Sequence, residues 1–343
     1  MNKIFLTCSL LALWSCKNAV ENGLIVRKDN VVLRQSPIEG SPEVHTLRKG
    51  DQLIDLNTTA TTESVILMGK ETIQSPWLKI RTEEDKIGWV LAWEVKPIPD
   101  QSDWLLEKRM DTYWGALLRE RRAKYVAQFE QIKTQEDWYA AYQTGLHLRD
   151  TLMQLFQKLP NSGPSLNNRW MAELLPGFLY QEAAYAGQPY LFADYRLWLK
   201  KAHQTTGIQD DACADLLISI FPADSIESFF PVWVFQLDDQ RFASQLGLER
   251  HLSILQQIDT GQESMPLADN VLRSIKQLIM EDILDRNSQY WQPAVKIREE
   301  LAAILSQPPQ CLSPEELESI KIRLRTFEQP EKNGIKVDLR SGQ

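Results

Sequence analysis

The sequence predicts a multidomain β + α chain: a small β-barrel or sandwich followed by an all-α helical bundle or array. Three observations predict it. From Gly23 to Pro97, β-branched and aliphatic clusters alternate with turn residues at short spacing, the pattern of short strands. Beyond Pro97-Ile98-Pro99-Asp100 the apolar residues recur every three to four positions, beginning with Trp104, Leu105, Met110, Tyr113, Trp114, Leu117 and Leu118, the period of one helix face. The chain's 343 residues, 43% hydrophobic and 24% charged, suffice for two cores at roughly 150 residues per domain and exclude wholesale disorder. The expected layout is a leader at 1–16, a β unit at 23–98, a helical domain at 102–328 and a polar tail at 329–343.

The leader, MNKIFLTCSLLALWSC, has a positive head at Lys3 and an apolar run from Ile4 to Trp14, the form of a secretory signal and too short to span a bilayer. Its end, Leu13-Trp14-Ser15-Cys16, resembles the bacterial lipobox, with an aliphatic residue three before the cysteine and a small one just before it. Trp14 departs from that pattern. The resemblance implies that Cys16 carries acyl chains and begins the mature protein, a membrane anchor. Lys17 in the next position favours the outer membrane, facing the periplasm or the surface. Cys213 and Cys311 remain; in an oxidising compartment they either bridge or stay as buried thiols among apolar neighbours.

In the β unit the strand clusters are Leu24-Ile25-Val26, Val31-Val32-Leu33, Leu53-Ile54 and Val65-Ile66-Leu67, with turns at Asp29-Asn30, Glu39-Gly40-Ser41-Pro42 and Lys49-Gly50-Asp51, residues that supply the backbone angles of a chain reversal. Val31-Val32-Leu33-Arg34-Gln35-Ser36-Pro37, Val44-His45-Thr46-Leu47-Arg48-Lys49-Gly50-Asp51, Trp77-Leu78-Lys79-Ile80-Arg81 and Ile87-Gly88-Trp89-Val90 follow in order. Together they resemble the successive segments of a bacterial SH3 (SH3b) domain. The stretch from Asn57 to Gln74 is longer than that family has at this point. The resemblance implies an SH3-like barrel that binds peptidoglycan stem peptides or a partner protein through aromatics lining a shallow groove. Trp77 and Trp93 are the ligand-binding candidates, exposed indoles being suited to such a groove. Trp93 has packing against the next domain as its other reading; Trp89 is expected as a core plug, and His45 as a surface residue.

In the helical part a first helix is expected over 102–133. A second, begun by Thr134 and Asp137 as a capping pair, runs to Leu159, where Pro160-Asn161-Ser162-Gly163-Pro164 stops it. Further helices are expected at 168–187, 189–206, 210–221, 240–260, 266–286, 292–306 and 314–327. Ser313-Pro314-Glu315-Glu316 starts the last with a cap, a proline and acids at the dipole's positive end. A short strand is expected at 335–339. No internal repeat is present, and Trp104, Trp114, Trp138, Trp170, Trp198, Trp233 and Trp291 read as core or inter-helix wedges. The bases of the first helix, Lys108, Arg109, Arg119, Arg121, Arg122 and Lys124, read as a solvated face offset by Glu107, Asp111 and Glu120, or as a surface for anionic head groups.

A formal net charge of -8 at pH 7 argues against nucleic acid as a partner, since counterion release needs a concentrated basic surface. Metal-binding, hydrolase and phosphate-loop motifs are missing, so no cofactor or metal is expected. One catalytic alternative remains. Asp210-Asp211-Ala212-Cys213 and His251-Leu252-Ser253 faintly resemble the nucleophile and base of NlpC-type cysteine peptidases. Against it, Cys213 lacks the Ser-Gly that admits substrate and stands beside acids. Glu173 and Glu182 read as satisfied polar contacts rather than an acid–base couple. The expectation is therefore a lipid-anchored cell-envelope protein, a non-enzymatic factor that binds peptidoglycan peptide or an envelope protein; the alternative is a cell-wall enzyme using Cys213 and His251.

Overall fold

The computed structural model describes residues 22–68, 71–156, 168–182, 189–222, 230–237, 241–285 and 288–339. The expected leader, with Cys16, lies outside them. The chain divides into two compact units, Met1–Glu120 with Ser162–Trp170, and Arg121–Asn161 with Met171–Gln343.

In the first unit β1 (Gly23–Val26), β2 (Val31–Arg34), β3 (Glu43–Leu47), β4 (Gln52–Met68), β5 (Glu71–Thr82), β6 (Ile87–Leu91) and β7 (Val95–Ile98) form one curled antiparallel sheet, ordered β3-β2-β6-β5-β4-β1-β7. The expected turns lie where positive φ is needed, with Asn30 at 60° and Gly50 at 94°. Period-2 alternation sends Leu24, Val26, Val31, Leu33, Leu78, Ile80 and Val90 to one face, where they form the core with Trp104. Full burial of each such side chain stabilises the fold by about 1.5–3 kcal/mol.

Trp89 departs from the expected plug. Gly88 and Val90 face the core, so Trp89 points to the opposite face, where it packs half-buried on Ala60, Trp77 and Leu91. The long stretch from Asn57 to Gln74 is the arm of the β4–β5 hairpin, and β4 is bulged between Asp55 and Thr58, with Asn57 at a φ of 53°.

The helix expected at 102–133 is two: α1 (Trp104–Trp114) and α2 (Ala116–Glu130), broken at Gly115, whose φ of 80° ends α1 and whose N–H donates to Met110 and Asp111 carbonyls. Glycine is the residue that takes this left-handed cap without steric cost. The unit boundary falls within α2, so α1 belongs with the sheet rather than with a helical domain starting at 102.

The second unit holds α3 (Gln135–Phe156), β8 (Phe178–Glu182), β9 (Pro189–Ala193), α4 (Tyr195–Ala202), α5 (Gln209–Ile220), β10 (Val234–Gln236), β11 (Phe242–Ser244), α6 (Arg250–Ser264), α7 (Asp269–Leu284), β12 (Gln289–Tyr290), α8 (Ala294–Ser306) and α9 (Pro314–Thr326). It is mixed rather than all-α. The stretches expected as helices at 168–187 and 189–206 contain the β8–β9 hairpin, in which Phe178 pairs with Ala193 and Tyr180 with Leu191. Aromatic and aliphatic residues there follow a pleated, half-buried surface more readily than a helix. Trp198 sits at the centre, edge-on to Phe129, Trp138 and Tyr142, with Nε1 donating to the Gly177 carbonyl at 2.9 Å. The tail expected to add a strand at 335–339 lies along β12: Tyr290 N–H donates to Lys336 and Asp338 N–H to Gln292.

Candidate binding site

In the first unit, α1 lies over β4 and β5 because its side chains are held there by charge. Lys108 Nζ meets Asp55 Oδ2 at 2.6 Å, both side chains about nine-tenths buried or more. Arg109 donates to the Gln74 carbonyl at 2.6 Å and faces Glu63 Oε1 at 3.6 Å, while Tyr113 Oη donates to Glu63 Oε2 at 2.8 Å. Burial pushes the Glu63 carboxyl up, against the opposing pull of Tyr113 and Arg109; burial and the neighbouring Glu63 raise the Tyr113 phenol. Trp170 covers this cluster, stacked on Tyr113 with centroids 5.9 Å apart and lying 5.7 Å from the Arg109 guanidinium.

Beside this clamp is a polar cleft of about 420 Å³. One side is the bulge of β4, whose register slip turns Asn57, Thr58 and Thr59 towards it; the other is α1 and the start of α2, with Trp104, Glu107, Lys108, Asp111 and Arg119. Trp104, Glu107, Lys108 and Asp111 recur at the i, i+3, i+4, i+7 spacing that places side chains on one helix face. Asp55 accepts from the Asn57 N–H at 2.8 Å, and Arg119 Nε donates to Asp111 Oδ1 at 2.8 Å. That hydrogen bond holds the Arg119 guanidinium above its ordinary range. The volume and the convergence of a few charged groups suit a small polar ligand.

The residues singled out in the sequence lie elsewhere. Trp77 is 1% exposed, with Nε1 donating to Ser64 Oγ at 2.9 Å, so no face of it is open to a ligand. The alternation that sends Leu78 into the core sends Trp77 into the smaller cluster on the other face. Trp93 is half-buried, its ring 5.7 Å from the Arg27 guanidinium, and it does not line the cleft. His45 is half-buried, its Nδ1 3.0 Å from Lys86 Nζ.

Cys213 and His251 are both fully buried, on α5 and α6. The Cys213 thiol lies by the Tyr139 hydroxyl, and burial pushes it up to about 12. His251 Nε2 is 2.8 Å from Asp282 Oδ2 and Nδ1 3.7 Å from Glu300 Oε1, so both ring nitrogens face carboxylates and neither serves the thiol. Both Cys213 and Cys311 are free thiols. Glu173 is exposed, and the side chain of Glu182 lies outside the described residues.

Sequence reading took Lys108 for a solvated residue, yet it is 8% exposed. Its signal was the one-face spacing with Trp104. Asp55 had one too: an acid at the core-facing position of a strand, two residues after Leu53. Their pairing was not readable, because it depends on how α1 folds back on β4. Among the described residues no group of three or more His, Cys, Asp or Glu is placed to hold a metal ion, and no helix is long and apolar enough to cross a membrane. Comparison with known proteins finds no matching family, no matching curated protein and no matching solved structure.

Proposed function

We propose that this chain is a lipid-anchored envelope protein, held to the outer membrane through Cys16, that binds a peptide of the cell wall in the cleft beside α1 and acts by binding rather than by catalysis. The carrying observation is the cleft itself: a polar cavity with a buried Lys108–Asp55 pair for a floor and charged groups of both signs around it. The SH3b-like reading of the sheet is supported by the four matching segments, which coincide with β2, β3, the end of β5 and β6. The leader supports the envelope location, since a wall peptide is met only there.

Co-sedimentation of the full chain, in detergent micelles, with purified peptidoglycan sacculi tests the reading. Wild type and Trp93→Ala are expected in the pellet. Thr58→Trp, an exposed position on the bulge whose indole would fill the cleft, is expected in the supernatant. Failure of the wild type to pellet, or retention of Thr58→Trp, would overturn it.

A further inference from the structure

We propose that the cleft is a zwitterion site, Glu107 receiving the ammonium group of a short peptide and Arg119 its carboxylate. The inference rests on the reading of the cleft as the binding site and adds the class of ligand. It starts from which charges are already spent. Lys108 and Asp55 neutralise each other at 2.6 Å, and the other Asp55 oxygen is taken by the Asn57 N–H at 2.8 Å. Asp111 is occupied by Arg119 Nε at 2.8 Å.

Two groups are left. Glu107 is half-buried and lines the cleft, and among the described residues its carboxylate has no hydrogen bond or ion pair, although its charge acts on Arg119. Arg119 uses only Nε; both Nη groups have no acceptor among the described residues. That free edge of the guanidinium matches a carboxylate with two parallel hydrogen bonds, and Asp111 holds the plane in place. A carboxylate and an open guanidinium edge on one cleft complement a ligand carrying both charges. A ligand with only one would leave either the Glu107 carboxylate without a cation or the Arg119 Nη donors without an acceptor, which is the basis of discrimination.

The floor and wall fit the same ligand. The Lys108–Asp55 pair offers no net charge to compete. Thr58 and Thr59, brought to the wall by the β4 bulge, add two hydroxyl-bearing residues to the lining, the Thr58 hydroxyl donating to the Leu56 carbonyl at 3.3 Å. Bulges serve in this way to re-aim side chains beside a site. At about 420 Å³ the cleft has room for a dipeptide, within the roughly 300–1,000 Å³ of ligand pockets.

Isothermal titration of the full chain in detergent micelles with alanylalanine, its N-acetyl derivative and its amide reads the proposal directly. The free dipeptide is expected to bind, and each blocked form at least about tenfold more weakly. Glu107→Gln is expected to abolish the handicap of the N-acetyl form while keeping that of the amide, and Arg119→Gln to do the converse. Because Arg119→Gln also strips Asp111 of its partner, Glu107→Gln carries the test if the other variant loses its near-ultraviolet circular dichroism. Blocked forms that bind as well as the dipeptide, a Glu107→Gln variant that still disfavours the N-acetyl form, or no binding of the dipeptide would each overturn the zwitterion assignment. Pelleting with sacculi without dipeptide binding would sink the zwitterion assignment alone; dipeptide binding without pelleting would sink the cell-wall reading alone.

Discussion

His251 holds a positive charge where burial alone would forbid one. Burial lowers its tendency to take a proton, but the hydrogen bonds and charges of Asp282 and Glu300 outweigh that and raise it from 6.5 to about 9. Glu300 in turn sits below its ordinary 4.5: burial opposes this, and the His251 contact with the backbone donors overrides it. The raised histidine contributes stability that is complete below about 6.5 and is lost as pH rises through about 9. The lowered glutamate contributes stability present above about 4.5 and lost as pH falls below it; each follows from the difference in protons bound by the folded and unfolded chain. Urea midpoints of the wild type are therefore expected to fall between pH 6.5 and about 8, below the range in which the two buried thiols also cost stability. In His251→Gln that slope should vanish and stability drop by about 3–5 kcal/mol, because two buried carboxylates lose their counter-charge. An unchanged slope over this range in the variant would refute the assignment. Gly88 is a second residue whose identity is dictated locally. A Cβ there would stand 2.7 Å from the Arg34 carbonyl and from Leu33 Cγ, so Gly88→Ala is expected to cost about 1–3 kcal/mol in chemical unfolding.

At the scale of elements, helix ends were the most legible features. Ser313 accepts from the Glu316 N–H at 3.2 Å while Glu316 Oε2 accepts from the Ser313 N–H at 2.8 Å, a reciprocal cap whose residues are three apart in sequence. Ser313→Ala is expected to lower stability by about 1 kcal/mol, measured by urea denaturation. Thr134 and Asp137 cap α3 in the same reciprocal way. The start of α6 was not legible. Its N-cap residue, Glu249, has a left-handed φ of 63° and makes no side-chain cap; instead Glu300, from α8, accepts from the N–H groups of Gly247, Glu249, His251 and Leu252. A carboxylate there satisfies orphan donors and complements the helix dipole, but the donor and acceptor lie some fifty positions apart. The same distance in sequence hid the seat of α1. Breaking the Lys108–Asp55 pair by Lys108→Ala is expected to cost about 3–5 kcal/mol, and the double change to Met and Leu much less, since the penalty comes from leaving one charge buried alone.

For the whole molecule, Cys213 and Cys311 belong to the same compact unit, yet each has its own surroundings. Cys213 is fully buried and Cys311 lies near Asp259, with burial the larger cause in pushing each thiol up to about 12. Thiolate is the reactive form, so neither should be alkylated in the native full chain at pH 8, and both should be in urea. Peptide mass spectrometry after iodoacetamide distinguishes this from a Cys213–Cys311 bridge, which would block both under either condition.

The sequence by itself determined strand segments within β1, β2, β4, β5 and β6 of the curled sheet, though not β7 or the length of β4, together with the turns, the caps of α3 and α9 and the switch from a two-residue to a 3.6-residue period. These are decided by neighbours along the chain, through steric limits on φ and through burial of one face. Tertiary structure alone decided that Trp77 is enclosed, that Phe178–Glu182 and Pro189–Ala193 pair as strands, that His251 is charged, and that Lys108 meets Asp55 beside the cleft. Each depends on contacts between groups distant in sequence, where packing overrides local propensity and a buried charge persists only because the fold brings it an opposite one.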